Sequence, residues 1–434
     1  MTAIGTMKVI STITTTLLLT ALAIAFLEYC GPTEPEPWGF DVELFTEFVG
    51  ACQVRLRATV SDTMNIKDIV LERNEEEILR TQLAGSDTML IDDSALPATS
   101  YNYRLHLEQK GKIVQSSEPV SVETLDTTSH DVEWTVHKLG IYGSYMRDVF
   151  IISEDDIWAV GFIQDHDSAG NYITYNAMHW DGTEWQPQRI ETFYNNRIIF
   201  ENTNSCVYAF SRDDIWVADY PKHYDGVSWQ LFHLHDMGID AYPIKRCWGT
   251  SSDNIYFVGN NGFCIRYDGA NWNSIPTGTS LRITDIWGVA EDHIFMVGGD
   301  ESTGENVFID SKHGSNKTFE FDSRRKSGVF VTAPNDVYLV CAGLFYYNGY
   351  DVSEIPWPDY IPKNYLESVH GNGSNDLFAA GHLQIIIHYN GKSWYSYFES
   401  NPATVYYDIK VKNDLIVAVG TNGPQAVMMI GRRK

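Results

Sequence analysis

The chain has 434 residues, 57 of them acidic against 31 basic, for a formal net charge of −26. That balance argues against a nucleic-acid partner, because neutralising phosphate needs Lys and Arg on the contact surface. It suits solubility outside the cell, and six dispersed cysteines without a C-x-x-C pair give no disulfide framework.

Residues 1–30 read as an export signal. One charged residue in Met1–Lys8 precedes an apolar, Thr-rich run from Val9 to Phe26, the layout of a secretory leader. Ala23-Ile24-Ala25 offers a small-x-small cleavage site, and Leu27-Glu28-Tyr29-Cys30 offers a lipoprotein-type site with Tyr29 where a small residue is usual. Segment 31–38, beginning Gly31-Pro32-Thr33-Glu34-Pro35-Glu36-Pro37, reads as a stiff extended tether and favours lipidation of Cys30. The expectation is an outer-membrane or cell-surface lipoprotein that meets the membrane only through its lipid. Ordinary secretion and an uncleaved anchor are the alternatives.

Residues 39–128 are expected to form a separate small β domain. Apolar and polar residues alternate through Cys52–Ala58 and Tyr101–Leu107, as in half-buried strands. Leu96–Tyr103, then Gly111, then Ser117–Thr124 resemble the last two strands of a fibronectin type III sandwich, although the early strands lack that family's core Trp. The resemblance makes Tyr101 the corner tyrosine whose hydroxyl ties a loop back to backbone, and it implies a spacer or presenting module. A short polar linker, Asp126–His130, follows.

Over 131–434 a signature returns. Asp156-Ile157-Trp158-Ala159-Val160-Gly161 is followed by His179-Trp180-Asp181-Gly182-Thr183-Glu184-Trp185. The residue closing the second strand of each unit falls at Gly161, Asp219, Gly259, Gly298, Cys341, Gly381 and Gly420, at separations of 58, 40, 39, 43, 40 and 39. Such a period, with four short strands per unit, is that of a propeller blade. Alternation at period two inside each unit excludes a helical repeat. Asp-Gly or Asn-Gly pairs at 181–182, 225–226, 268–269, 348–349 and 390–391 are expected to supply the two positive φ values of a tight hairpin turn. The fourth unit, with Val307–Asp310 as its third strand, lacks such a pair.

The last unit has a third strand, Gln425–Ile430, and no fourth. Asp131–Leu139 matches the fourth strand Gly226–Leu234 in the placing of Val, Trp and Leu. This N-terminal strand is therefore expected to complete the C-terminal blade beside Val427–Ile430 and remove the open edge.

The D-I-W-x-V-G and H-Y-D-G-x-x-W pattern resembles that of bacterial secreted β-propeller repeat proteins over roughly 134–434. It implies an all-β chain: a fibronectin type III-like β-sandwich followed by a seven-bladed β-propeller closed by an N-terminal strand. Propellers host enzymes, scaffolds and binding modules alike. The Asp-Gly-x-x-Trp element is similar to the Asp-box of sialidase-like propellers but lacks its Ser and its extra residue, so no catalytic residue is carried over. A surface binding or scaffold protein for a protein or glycan is the favoured reading, expected as a monomer without a cofactor. The alternative is an extracellular glycosidase or lyase with its site on the axis, which needs two carboxylates roughly 5–10 Å apart.

Four groups are candidates for chemistry. Asp165 and Asp167, in Asp165–Asn171, resemble the opening of a calcium loop, against a plain solvated turn. His179, His223 and His388 share one repeat position, which makes them structural and mutually distant. Arg147, Asp148, Arg246, Arg282, Asp285, Glu367, His370 and Asp408 fall on innermost strands and line the axis. Finally, the long connections 162–177, 190–205, 233–244 and 351–365 share one face and carry Phe193, Tyr194, Arg197, Tyr242, Trp357, Tyr360 and Tyr365, the expected ligand-binding set. Cys247 and Cys264 fall on the first and third strands of one blade, so free buried thiols are expected.

Overall fold

The computed structural model describes residues 41–61, 68–300, 302–320 and 326–434. The signal, Cys30 and the tether lie outside the described residues. The described residues form two compact units, one of 41–45 with Leu56–Leu90 and Asn102–Ser121, the other of Thr46–Arg55, Ile91–Tyr101 and Val122–Lys434.

In the larger unit the repeat becomes seven four-stranded antiparallel sheets. Blade 1 runs outward through Tyr145–Ser153, Asp156–His166, Tyr172–Trp180 and Trp185–Gln188. Blades 2 to 6 repeat this order from innermost strands Cys206–Ser211, Ile244–Ser251, Ile283–Ala290, Lys326–Ala333 and Leu366–Gly373. Blade 7 takes Thr404–Lys412, Leu415–Asn422 and Gln425–Arg433 from the C-terminus and its outermost strand, Val132–Leu139, from before blade 1. Val136 lies opposite Met429 and Trp134 opposite Gly431, one residue beyond the expected stretch.

Each neighbouring pair of blades shares one apolar cluster, in the order 1/2, 2/3, 3/4, 4/5, 5/6 and 6/7. The seventh cluster joins Met146, Ile157 and Met178 of blade 1 to Val417, Ala426 and Met428 of blade 7, which closes the ring. The repeated motif follows from pairing within blades. Trp158 lies opposite His179, their rings stacked at 4.7 Å, and the His179 imidazole meets Asp156 at 2.9 Å. Blades 2 and 6 repeat this with Asp214–His223 and Asp376–His388, at 2.8 and 2.9 Å. Blade 4 exchanges the partners, His293 with Asp310.

The turn chemistry differs from the expectation. In the Asp-Gly and Asn-Gly turns only the glycine has positive φ, 94° at Gly182. The loop has four residues, between the paired Trp180 and Trp185, and the Asp181 carboxylate accepts the Thr183 and Glu184 amides at 2.9 Å each. A side-chain acceptor thus replaces the second left-handed residue. The two-residue turn appears instead in blade 4, where His313 and Gly314 have φ of 51° and 75° and lead into an unforeseen fourth strand, Ser315–Phe319.

The glycine that closes the second strand has a packing cause. A Cβ at Gly161 would lie 2.3 Å from the Tyr145 carbonyl oxygen, and one at Gly420 only 1.9 Å from that of Val405. The innermost strand comes this close because it carries a β-bulge at its start in blades 1, 3, 4, 5, 6 and 7. Blade 2, with Asp219 in the glycine's place, has no bulge there; blade 5 keeps its bulge beside Cys341.

The N-terminal segment forms a three-stranded sheet, in the order Val42–Val49, Val54–Val60, Asp87–Asp92, and a five-stranded sheet centred on Ser100–Gln109. Tyr101 is buried, and its hydroxyl accepts the Leu96 amide at 2.9 Å, the corner expected of it.

Gly420→Ala should cost about 3 kcal/mol, the scale of an overpacked core, read as a lower urea midpoint. An unchanged midpoint would contradict the close-approach account.

Candidate functional site

A bulge places two residues opposite one and re-aims the extra side chain. The register shifts put Arg147, Lys245, Thr284, Glu367 and Tyr407 at the extra position of their strands. All five line a cavity of about 480 Å³ at the start of the innermost strands, with Tyr145, Asp219, Arg246 and Arg282 among the other walls. Antiparallel pairing brings the ends of the second strands to this same face, so the long connections between blades open around it.

The mouth inverts the charge of the chain, with four basic side chains lining it against Asp219 and Glu367. Both acids have partners: the Ser205 hydroxyl donates to Asp219, and Glu367 meets the His382 imidazole at 2.7 Å. The Arg147 guanidinium lies between the Tyr145 and Tyr407 rings, 4.6 and 4.5 Å from their centroids. Among the described residues no hydrogen bond or ion pair reaches that guanidinium or the Lys245 ammonium. Burial lowers the Lys245 pKa; Asp219 opposes this, and Arg282, Arg147 and Arg246 lower it further.

Beneath the mouth the axis is plugged. The Arg246 guanidinium lies 4.0, 3.8 and 3.7 Å from the carboxylates of Asp148, Asp285 and Asp408 and donates to the carbonyls of Arg147 and Tyr407. Lys410 adds a 2.8 Å pair with Asp408. The three aspartates also join blades through backbone: Asp148 accepts the Val207 amide at 2.9 Å, Asp285 the Val329 amide at 2.9 Å, and Asp408 the Val149 amide at 3.2 Å. Burial raises Asp148 to about 7. Burial acts on Asp408 too, but Lys410 and Arg246 hold its carboxyl below the usual range. His370 is held neutral, its pKa lowered to about 3 by burial, and accepts the Val411 amide.

Sequence-selected residues therefore separate into two sets. Arg147, Arg246, Arg282 and Glu367 meet at the mouth, whereas Asp148, Asp285, His370 and Asp408 face inward as structural ties. None of Phe193, Tyr194, Arg197, Tyr242, Trp357, Tyr360 and Tyr365 lines the cavity; they stand on the surrounding connections. Phe193 and Tyr360 are each 68% exposed and Arg197 is exposed. Tyr194 stacks on His233 and Tyr242 packs against Phe263. Trp357 donates to the Ile361 carbonyl and Tyr365 meets His382 edge-on. Asp167 caps its own turn through the Ala169 and Asn171 amides, and Asp165 accepts the His166 amide. No group of three potential metal ligands occurs among the described residues.

No family model and no curated protein matches this sequence. Solved structures match in fold. YCF48 bound to D1 peptide aligns with a TM-score of 0.51 at 13% identity, over 69% of this chain and 95% of that one. YCF48 from Cyanidioschyzon merolae gives 0.48 at 12%, over 68% and 98%, and the RRP9 WD40 repeats give 0.49 at 8%, over 69% and 97%. The chain is a β-propeller repeat protein.

Sequence reasoning missed several residues of the propeller's axis. Lys410 lies two residues from Asp408 on one strand face, a period-two signal. Lys245 and Tyr407 each precede an axial residue, as Arg147 precedes Asp148. Cys206 and Cys247 are neighbouring thiols in the cluster between blades 2 and 3, both buried, with burial raising both pKa values. All five described cysteines are free.

The plug fixes a pH dependence. Asp148 is protonated in the folded chain up to about 7 but ionised above 3.8 when unfolded, so its stabilisation is full below 3.8 and lost as pH rises through 7. The Asp408 contribution has the opposite sign and is lost as pH falls. Between pH 5 and 8, urea unfolding should show Asp148→Asn gaining stability relative to the parent chain. Asp408→Asn should lose on the order of 3 kcal/mol at pH 8. A pH-independent difference for Asp148→Asn would contradict the assignment.

Proposed function

We propose that the chain is a non-catalytic binding module of the cell envelope, engaging a protein partner through the face onto which the axial mouth opens. The carrying observation is the state of the acids there. Asp219 and Glu367 are held by Ser205 and His382, and Asp148, Asp285 and Asp408 are bound by backbone amides and by Arg246. A glycosidase needs a proton donor and a second carboxylate free to act on substrate; the mouth instead offers cations and aromatic edges, which suit retention of a ligand.

Polypeptide is favoured as ligand because the mouth is ringed by connections bearing exposed apolar side chains, Phe193, Ile198 and Tyr360 among them. YCF48 with D1 peptide is a precedent for a peptide on a ring of similar fold. The two-sheet N-terminal segment with its Tyr101 corner is a fibronectin type III-like spacer in this reading. Lipidation at Cys30, supported by the leader and the Pro-rich tether, holds the assembly to the membrane, with the propeller as the presented part.

The full chain should enrich peptides from a displayed library, and the double variant Phe193→Ala/Tyr360→Ala should weaken them about fivefold or more. The same preparation on a glycan panel should release no reducing ends. Turnover of any glycan would overturn the reading.

A further inference from the structure

A chain with 57 acidic and 31 basic residues gathers Arg147, Lys245, Arg246 and Arg282 around one concavity. Arg246 is spent on the plug, but Arg147 and Lys245 have no hydrogen-bonding partner among the described residues. The Arg147 guanidinium is held against two tyrosine rings, 4.6 and 4.5 Å from their centroids, so little freedom is lost when its fork meets a carboxylate. Burial disfavours the protonated form of Lys245; Asp219 opposes this, while the nearby Arg282, Arg147 and Arg246 add to it. Arg147 and Lys245 thus lack an anionic partner at hydrogen-bonding distance among the described residues, and a bound anion would relieve the repulsion between them.

We propose that the axial mouth is a receptor for a carboxylate-rich segment of polypeptide, its acidic side chains seated on Arg147 and Lys245. This rests on the binding-module reading above and supplies the chemistry of its ligand. An acidic glycan has the same charge but would stack its sugar rings on aromatic faces; here Arg147 covers one face each of Tyr145 and Tyr407, and Phe162 also stacks with Tyr145. Glu367, held by His382 on blade 6, repels anions from the far wall. The segment would thus lie with its acids towards blades 1 and 3. The floor is closed by Arg246, so the ligand binds at the mouth and does not thread the ring. The net charge of −26 opposes approach of any acidic ligand, but at about 0.15 M salt that field is screened beyond about 8 Å while contacts inside the mouth persist.

Fluorescence anisotropy with the full chain at that salt tests this, using labelled hexaglutamate, hexaserine, hexalysine and oligogalacturonate. Hexaglutamate should bind saturably and the other three should not. The double variant Arg147→Gln/Lys245→Met should weaken binding at least about tenfold. Arg212→Gln, an exposed change in the turn after the first strand of blade 2, at the opposite strand ends, should leave it unchanged. No hexaglutamate binding up to about 1 mM, or binding indifferent to the double variant, overturns the proposal. Galacturonate binding as tight as hexaglutamate overturns the polypeptide assignment. Library peptides without acidic residues that bind the double variant as well as the parent would overturn this inference while leaving the binding-module reading in place.

Discussion

The ring is held shut by one pairing between distant parts of the chain, Val132–Leu139 against Gln425–Arg433. Without it blade 7 would have three strands and an unsatisfied row of amides and carbonyls along its outer edge. The strand also brings Val132 and Trp134 to the cluster between blades 6 and 7, where Trp134 meets Tyr397 and Phe398 edge-on at 5.3 and 5.6 Å. Closure matters for the axis because the plug draws on blades 1, 3, 4 and 7 together. Arg246 can face Asp148, Asp285 and Asp408 at once only in a complete ring.

Within that ring, packing and function occupy different columns of the repeat. The closing glycine admits a bulged innermost strand, and in blades 1, 3, 4, 6 and 7 the bulge turns one side chain towards the mouth. Nothing in the blade interior constrains that side chain, so the column reads Arg147, Lys245, Thr284, Glu367 and Tyr407 where neighbouring columns repeat. The next column, facing the axis, carries Asp148, Arg246, Asp285, Ser368 and Asp408 and is fixed by mutual charge and backbone ties; Ser368, for instance, donates to Asp408 at 2.7 Å. The proposed ligand contacts therefore fall where the repeat is least regular.

This explains what could be read from sequence. Period, strand order and the closing strand are local patterns, and Trp158, His179 and Gly161 announce them directly. The segment 190–205, read as a plain connection, contains a hairpin, Glu191–Tyr194 with Arg197–Phe200, turned by Asn195 and Asn196 at φ of 48° and 59°. Its signal was an Asn-Asn pair where Asn-Gly was sought. The mouth was half legible: Arg147, Arg246, Arg282 and Glu367 were placed on innermost strands, but their division into an upper ring and a buried plug depends on bulges, which appear only in strand register. Lys245 was passed over because its charged neighbours Asp219, Arg282 and Arg147 lie on blades remote in sequence. The partner of Lys410, Asp408, lies two residues away on the same strand, a pattern that went unread.

Hydrogen exchange of the backbone amides in Val132–Leu139 tests closure of the ring most directly. Protection there should equal that of Gln425–Arg433 and disappear with it in a single cooperative step as denaturant is added. Exchange of Val132–Leu139 at unprotected rates, while Gln425–Arg433 stays protected, would contradict the closed ring and the axial site built on it.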